Sequence, residues 1–130
     1  MRDSIVFLMN ESVPAGFTSI VSEAVGTPMD LNDLCIKHPA ATFFVRVDGY
    51  SMINAGIHDG DMLVVDRSLE PSNNSIVIAL YNGGFTVKRL LKNRGNISLF
   101  PENPKYSPVT IKQSDDFEVW GVVTFVIKKV

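Results

Sequence analysis

The sequence contains one cysteine, Cys35, among its 130 residues. A single thiol cannot form an internal disulfide, and no metal site can be built from thiolate pairs. The composition therefore excludes a disulfide framework and favours a reducing compartment, and we predict neither a metal ion nor another cofactor.

The sequence also lacks an excess of basic charge and any long apolar run. Its formal net charge is −2, so no surplus of basic residues is available to bind phosphate backbones, and direct binding to DNA is not expected. The most apolar windows are far shorter than the ~18 residues that a membrane-spanning helix needs; they are Ile5–Met9, Ile76–Tyr81 and Val119–Ile127. The apolar stretch near the start of the sequence is too short for a secretory signal. We therefore expect a cytoplasmic protein with no membrane segment.

The residues that are present indicate one domain and an N-terminal arm. Apolar residues make up 45% of the chain and charged residues 20%, which favours a folded core over disorder. Residues Asn10–Gly26 show no sustained period and read as an exposed arm. Asp30 is a candidate N-cap for one short helix over Met29–Ile36, which should end before Pro39. We predict an arm over residues 1–40 and a β-rich domain over residues 41–130.

From Thr42 onward the pattern is that of short strands separated by turns. Asn82-Gly83-Gly84 is a strong hairpin signal because these residues tolerate positive φ. The fold class predicted is mostly β, with strongly bent antiparallel sheets. The predicted strands are Phe43–Val47, Met62–Asp66, Ile76–Tyr81, Phe85–Leu90, Ile97–Phe100, Val109–Ile111 and Phe117–Ile127.

Two residues could carry chemistry. Ser51 follows a strand and a turn in Gly49-Tyr50-Ser51-Met52, where a hydroxyl can project beside free backbone N–H groups, and Lys88 lies in a strand whose neighbours could bury it. Each also has an ordinary interpretation, as a turn hydroxyl and as a solvated lysine, and the local pattern alone favours those. His38 and His58 lie at turns and are expected on the surface, and Cys35 is expected to be a small buried hydrophobe.

Taken together, three stretches resemble the LexA/UmuD family of self-cleaving Ser-Lys proteins, also called the S24 type. They are Gly49-Tyr50-Ser51-Met52, the stretch Gly56–Asp66, and Phe85-Thr86-Val87-Lys88-Arg89-Leu90. Asp30-Leu31-Asn32-Asp33-Leu34, His38-Pro39-Ala40-Ala41-Thr42, Tyr106–Ile111 and Trp120-Gly121-Val122-Val123 are similar to the UmuD/MucA-like branch in particular. The resemblance covers the chain from Ala15 to its end.

The resemblance implies a role for each site residue. Ser51 would be the nucleophile, Lys88 its general base and Ala15-Gly16 the scissile peptide, while the backbone N–H groups of Tyr50 and Ser51 would form the oxyanion hole. Tyr50 departs from the Asp or Met usual in the family, but the role there belongs to the backbone. A lysine with a pKa of about 10.4 is neutral only about once in ~2,500 molecules at pH 7, so burial must lower the pKa of Lys88.

The resemblance also implies the partners. In this family a RecA filament on single-stranded DNA stimulates cleavage, and the processed form is a homodimer that serves as accessory subunit of a UmuC-like Y-family DNA polymerase. A LexA-like repressor would need about 65–70 further residues for its DNA-binding domain, and only fourteen precede Ala15; a signal peptidase usually has a proline where Asn54 stands. The remaining alternative is a non-catalytic dimeric interaction module that regulates a polymerase.

Overall fold

The computed structural model describes residues 6–16 and 26–130. The chain divides into two compact units, Met1–Lys37 and His38–Val130, and each is described by itself. The portions of the predicted arm over residues 1–5 and 17–25 lie outside the described residues. No helix in the described ranges is long and apolar enough to cross a membrane.

The first unit contains two short strands and one helix. Strands β1 (Phe7–Met9) and β2 (Gly26–Pro28) pair in antiparallel register, and all of residues 6–16 are exposed. Helix α1 (Leu31–Cys35) begins at Asp30, whose side chain accepts a hydrogen bond from the Asn32 N–H at 2.8 Å. The helix prediction and its N-cap are confirmed. The two strands were not predicted, because each has only three residues and β2 also contains Gly26 and Pro28, residue types that are depleted in strands.

The second unit is built on one antiparallel sheet of seven strands, in the order β3-β4-β9-β5-β6-β7-β8. The mostly β fold predicted from the sequence is confirmed, and three of the strands have the predicted bounds. The strands are β3 (Thr42–Arg46), β4 (Met62–Asp66), β5 (Ile76–Tyr81), β6 (Gly84–Asn93), β7 (Asn96–Phe100), β8 (Val109–Thr110) and β9 (Phe117–Ile127).

The β5–β6 hairpin turns on two residues. Tyr81 pairs with Gly84, and the loop residues Asn82 and Gly83 have φ values of 46° and 84°. Positive φ at both central residues is the requirement of a type I′ turn, whose twist matches that of the flanking strands. This turn brings β6 back along β5 and so places Lys88 in the sheet.

The sheet bends where β9 carries extra residues. In the pairing with β5, Trp120 has no partner residue, and in the pairing with β4, Thr124 has none, because the register shifts at both points. Such bulges increase the local twist and bend the strand. The Trp120 indole lies on the face of the sheet that carries Ser51 and packs against Phe43 and Phe85.

Two apolar clusters cover the two faces of this sheet. Neighbouring residues of a strand point to opposite faces, and on β5 Ile78 belongs to one cluster while Val77 belongs to the other. The cluster around Ile78 also contains Met52 and Ile57, which are 2% and 0% exposed. The chain around Ser51 is therefore anchored in the core directly after the serine.

Candidate active site

A cleft of about 550 Å³ opens on the face of the sheet that carries Ser51. Its walls come from β3, from the loop 48–52, from the start of β6 and from the rings of Tyr106 and Trp120. Strand β3 is an edge strand, because within residues 6–16 and 26–130 only β4 pairs with it. One wall of the cleft is thus a strand whose outer edge is unpaired within the described residues and available to a further strand.

Ser51 lies in a loop that is held on both sides. Before it, Gly49 takes a φ of 105°, which a residue without Cβ adopts readily, and its N–H donates to Asp59 Oδ1 at 2.8 Å. After it, Met52 is buried in the core and a short 3-10 turn follows at Ile53–Ala55. These anchors hold Ser51 at the wall of the cleft.

Lys88 reaches Ser51 from β6. Its Nζ lies 3.1 Å from Ser51 Oγ, 2.6 Å from Thr86 Oγ1 and 3.1 Å from the Val87 carbonyl oxygen. Thr86 and Lys88 lie on the same face because side chains alternate along a strand. A neutral amine has two N–H donors and one lone pair, so it can donate to Thr86 and Val87 and accept the Ser51 proton. The arrangement suits a general base.

Burial alone shifts the titration of this lysine. Lys88 is half-buried in the sheet, and desolvation of the ammonium lowers its pKa. Removing a cation from water without a counter-ion disfavours the charged form, and none of the ion pairs within the described residues involves Lys88. The direction is the one that a lysine acting as a base near neutral pH requires.

Two backbone donors beside Ser51 have no acceptor among the residues that the structure describes. Within the part of the chain that the structure describes, neither the Tyr50 N–H nor the Ser51 N–H takes part in a hydrogen bond. Peptide N–H groups are strong donors, and donors held ready in a cleft can bind a developing oxyanion. These are the two N–H groups that the family resemblance predicts for the oxyanion hole.

The structure also describes the other residues that the sequence singled out. Ala15 and Gly16 are exposed residues of the first unit. Neither histidine lines the cleft: His38 Nδ1 lies 2.6 Å from Asp66 Oδ2, and His58 Nδ1 lies 3.0 Å from Lys128 Nζ. Both are exposed, as expected.

Cys35 is less buried than the sequence predicted. It is only partly buried, not the fully buried hydrophobe predicted, because a helix of five residues has no buried position to offer. Among the described residues, no group of three or more His, Cys, Asp or Glu side chains is placed to hold a metal ion.

Two features around the cleft were not predicted. The burial of Asn103, which is 7% exposed, and its contact with the Ser51 loop follow from no local pattern. The cation–π contact of Arg67 on Trp120, 4.4 Å from the ring centroid, joins residues distant in the chain.

Comparison with known proteins identifies relatives along nearly the whole chain. Residues 7–124 match the family described as Peptidase S24-like. Protein SamA of Salmonella typhimurium is 46% identical over 123 residues, which are 94% of this chain and 84% of SamA. Protein MucA of Escherichia coli is 44% identical over 122 residues, 93% of this chain and 82% of MucA. The LexA repressor of Bordetella parapertussis is 42% identical over 116 residues, 89% of this chain and 53% of the repressor.

Proposed function

Because the chain belongs to the LexA/UmuD family of S24-like peptidases, in its UmuD/MucA-like branch, we propose that it is a serine endopeptidase that cuts its own arm between Ala15 and Gly16. The observation that supports this most strongly is the 3.1 Å contact between Lys88 Nζ and Ser51 Oγ at a cleft. A nucleophile and a base within hydrogen-bond reach are the signature of covalent catalysis.

The reaction proceeds in two stages. Neutral Lys88 takes the Ser51 hydroxyl proton as Oγ attacks the Ala15 carbonyl carbon, and the N–H groups of Tyr50 and Ser51 receive the oxyanion. The Ala15–Gly16 C–N bond then breaks, and Lys88 returns the proton to the Gly16 amine. In the second stage Lys88 takes a proton from water, and the resulting hydroxide attacks the carbonyl carbon of the ester between Ala15 and Ser51. The bond between that carbon and Ser51 Oγ breaks, the Ala15 carboxylate leaves, and Lys88 returns the proton to Ser51 Oγ.

The open edge of β3 suits a peptide substrate. An extended segment can add to such an edge through main-chain hydrogen bonds, and Val13 is held extended by the proline that follows it. Ala15 and Gly16 have the smallest side chains available, which lets the backbone approach Ser51 closely. Tethering raises the local concentration of the arm, so cleavage does not require broad affinity for substrates.

The proposed biological role follows from the family. The arm 1–15 is removed when a RecA filament on single-stranded DNA stabilises the docked substrate, and the homodimer of Gly16–Val130 acts as accessory subunit of a UmuC-like Y-family DNA polymerase in the SOS response. We place these events in the cytoplasm. The division into an arm over residues 1–40 and a peptidase-like domain over residues 41–130 is part of the same proposal.

Incubation of the purified chain at alkaline pH, where Lys88 deprotonates without a coprotease, tests the activity. Mass spectrometry should find a fragment that begins at Gly16, and Ser51→Ala and Lys88→Ala should abolish it. Ser107→Ala and Lys129→Ala, which change exposed residues outside the cleft, should cleave normally. A chain that stays uncut even with activated RecA would contradict the proposal and favour the non-catalytic interaction module.

A further inference from the structure

The loop 101–106 contacts both segments that meet at the cleft. From this geometry we propose that Asn103 is a positioning residue for Ser51: its side-chain amide holds the Tyr50 carbonyl and so sets the direction of the Ser51 N–H. The inference rests on the proposed function, in which that N–H binds the oxyanion. Asn103 is not among the residues that line the cleft, so it acts through the peptide between Tyr50 and Ser51.

The hydrogen bonds of Asn103 determine how its amide is oriented. Nδ2 donates to the Tyr50 carbonyl oxygen at 2.9 Å, and Oδ1 accepts from the Lys105 N–H at 3.0 Å. A flipped amide would place oxygen against oxygen and nitrogen against nitrogen. Since Asn103 is 7% exposed, water does not readily replace either partner, and the bond to Tyr50 is held in place.

The planarity of the peptide carries this constraint to Ser51. The Tyr50 carbonyl and the Ser51 N–H belong to one trans peptide, whose C=O and N–H point in opposite directions in one plane. A donor that fixes the carbonyl therefore fixes the N–H as well. The Ile53 N–H also approaches this carbonyl, but at 3.4 Å, so Asn103 makes the shorter and stronger bond.

The loop around Asn103 is tied to the strand that carries Lys88. Glu102 Oε1 accepts from Arg89 Nε at 2.6 Å, and Arg89 is the residue after Lys88 on β6. The Glu102 carbonyl accepts from the Asn54 N–H at 2.8 Å, just beyond Ser51. The loop 101–106 thus contacts β6, which carries Lys88, the peptide between Tyr50 and Ser51, and the 3-10 turn that follows Ser51.

Two substitutions separate a positioning role from a purely local one. Asn103→Asp keeps an oxygen that can accept from the Lys105 N–H but removes the donor to Tyr50, whereas Asn103→Leu removes both at similar volume. If Asn103 only shaped its own loop, the Asp variant would behave as the wild type. The matched control is Asn73→Asp: the exposed Asn73 accepts from the Lys92 N–H at 2.8 Å, away from the cleft, and the charge change is the same.

The first measurement is the self-cleavage rate of the full chain as a function of pH, together with thermal unfolding. We expect both Asn103 variants to lower the plateau rate by about tenfold to a hundredfold, since one preorganised oxyanion donor is misdirected. In Asn103→Leu, which adds no charge, the midpoint of the pH profile should stay at the wild-type value. Asn73→Asp should stay within about twofold of the wild-type rate. A wild-type plateau in Asn103→Asp would overturn the proposal.

The second measurement is the NMR chemical shifts of the peptide group between Tyr50 and Ser51, recorded at neutral pH. Asn103→Asp should shift the Tyr50 carbonyl and Ser51 amide resonances, and Asn73→Asp should leave them unchanged. Unchanged resonances in Asn103→Asp would overturn the positioning role, whatever the cleavage rate. If the wild-type chain does not cleave itself, the proposed function fails, and the resonances still decide whether Asn103 fixes this peptide.

Discussion

Lys88 Nζ and Ser51 Oγ lie 3.1 Å apart although the two residues are 37 positions apart in the chain. One comes from the middle of a long strand and the other from a loop anchored by the buried Met52. Because the contact joins two rigidly held segments, small changes around either residue should alter the reaction more than they alter the fold.

The rate of self-cleavage should rise with pH as Lys88 loses its proton. Burial lowers the pKa of Lys88, so the midpoint of the rise should fall below the ordinary lysine value of about 10.4. Lys88→Arg should show no rise at any accessible pH, because arginine stays protonated. A midpoint at or above the ordinary value would contradict the desolvation argument.

Lys88 should lower the free energy of unfolding at neutral pH. Its pKa is lower in the folded chain than in the unfolded one, so between those two values the unfolded state binds a proton that the folded state does not. Stability then rises with pH across that window, and below it the charged lysine opposes folding. Lys88→Met should raise the urea midpoint at pH 7, with the gain shrinking toward alkaline pH. Lys129→Met, at an exposed site, should show no such pH-dependent gain.

Removing the Thr86 hydroxyl should slow cleavage without unfolding the chain. Thr86 Oγ1 lies 2.6 Å from Lys88 Nζ, and one hydrogen bond contributes about 1 kcal/mol, so Thr86→Val should lower the plateau rate roughly fivefold to tenfold. Thr86→Ser keeps the hydroxyl and should restore most of the rate. Thr110→Val removes an exposed hydroxyl whose contact with Ser98 is 3.4 Å and should have no effect. Equal rates in Thr86→Val and the wild type would exclude a role for this bond.

Gly121 should not tolerate a side chain. A Cβ there would lie 2.5 Å from Val65 Cγ1, and Val65 is fully buried, so Gly121→Ala should lower the free energy of unfolding by about 1–3 kcal/mol. At Gly84 the nearest atom to an added Cβ is the Tyr81 carbonyl oxygen at 3.8 Å, and Gly84→Ala should stay within ~0.5 kcal/mol of the wild type. Urea unfolding compares the two; similar losses would refute the close-approach explanation.

Local patterns predicted much of the fold. Strands β4, β5 and β9, the turn at Asn82-Gly83 and the Asp30 N-cap all follow from residues adjacent in the chain. The pair β1–β2 did not, since each strand has only three residues and its pairing depends on a distant partner. The bulge at Trp120 is likewise a property of the sheet and has no local signal.

The candidate site divides in the same way. The resemblance to a known family singled out Ser51, Lys88, Tyr50 and the Ala15-Gly16 bond. The roles assigned to them remain predictions. Local propensity alone favoured a turn serine and a solvated lysine. No reading of neighbouring residues pointed to Asn103, whose partner Tyr50 is 53 positions away.

The sequence by itself determined the mostly β class and the positions of most strands and turns, because alternation, capping and turn preferences act over a few residues. The candidate nucleophile and base came from the resemblance of the sequence to a known family. The tertiary structure alone decided that Lys88 is half-buried against Ser51, that two N–H groups beside Ser51 have no acceptor among the described residues, and that Asn103 holds the peptide between Tyr50 and Ser51. Desolvation and long-range hydrogen bonds depend on which segments the fold brings together, and so no local stretch of sequence encodes them.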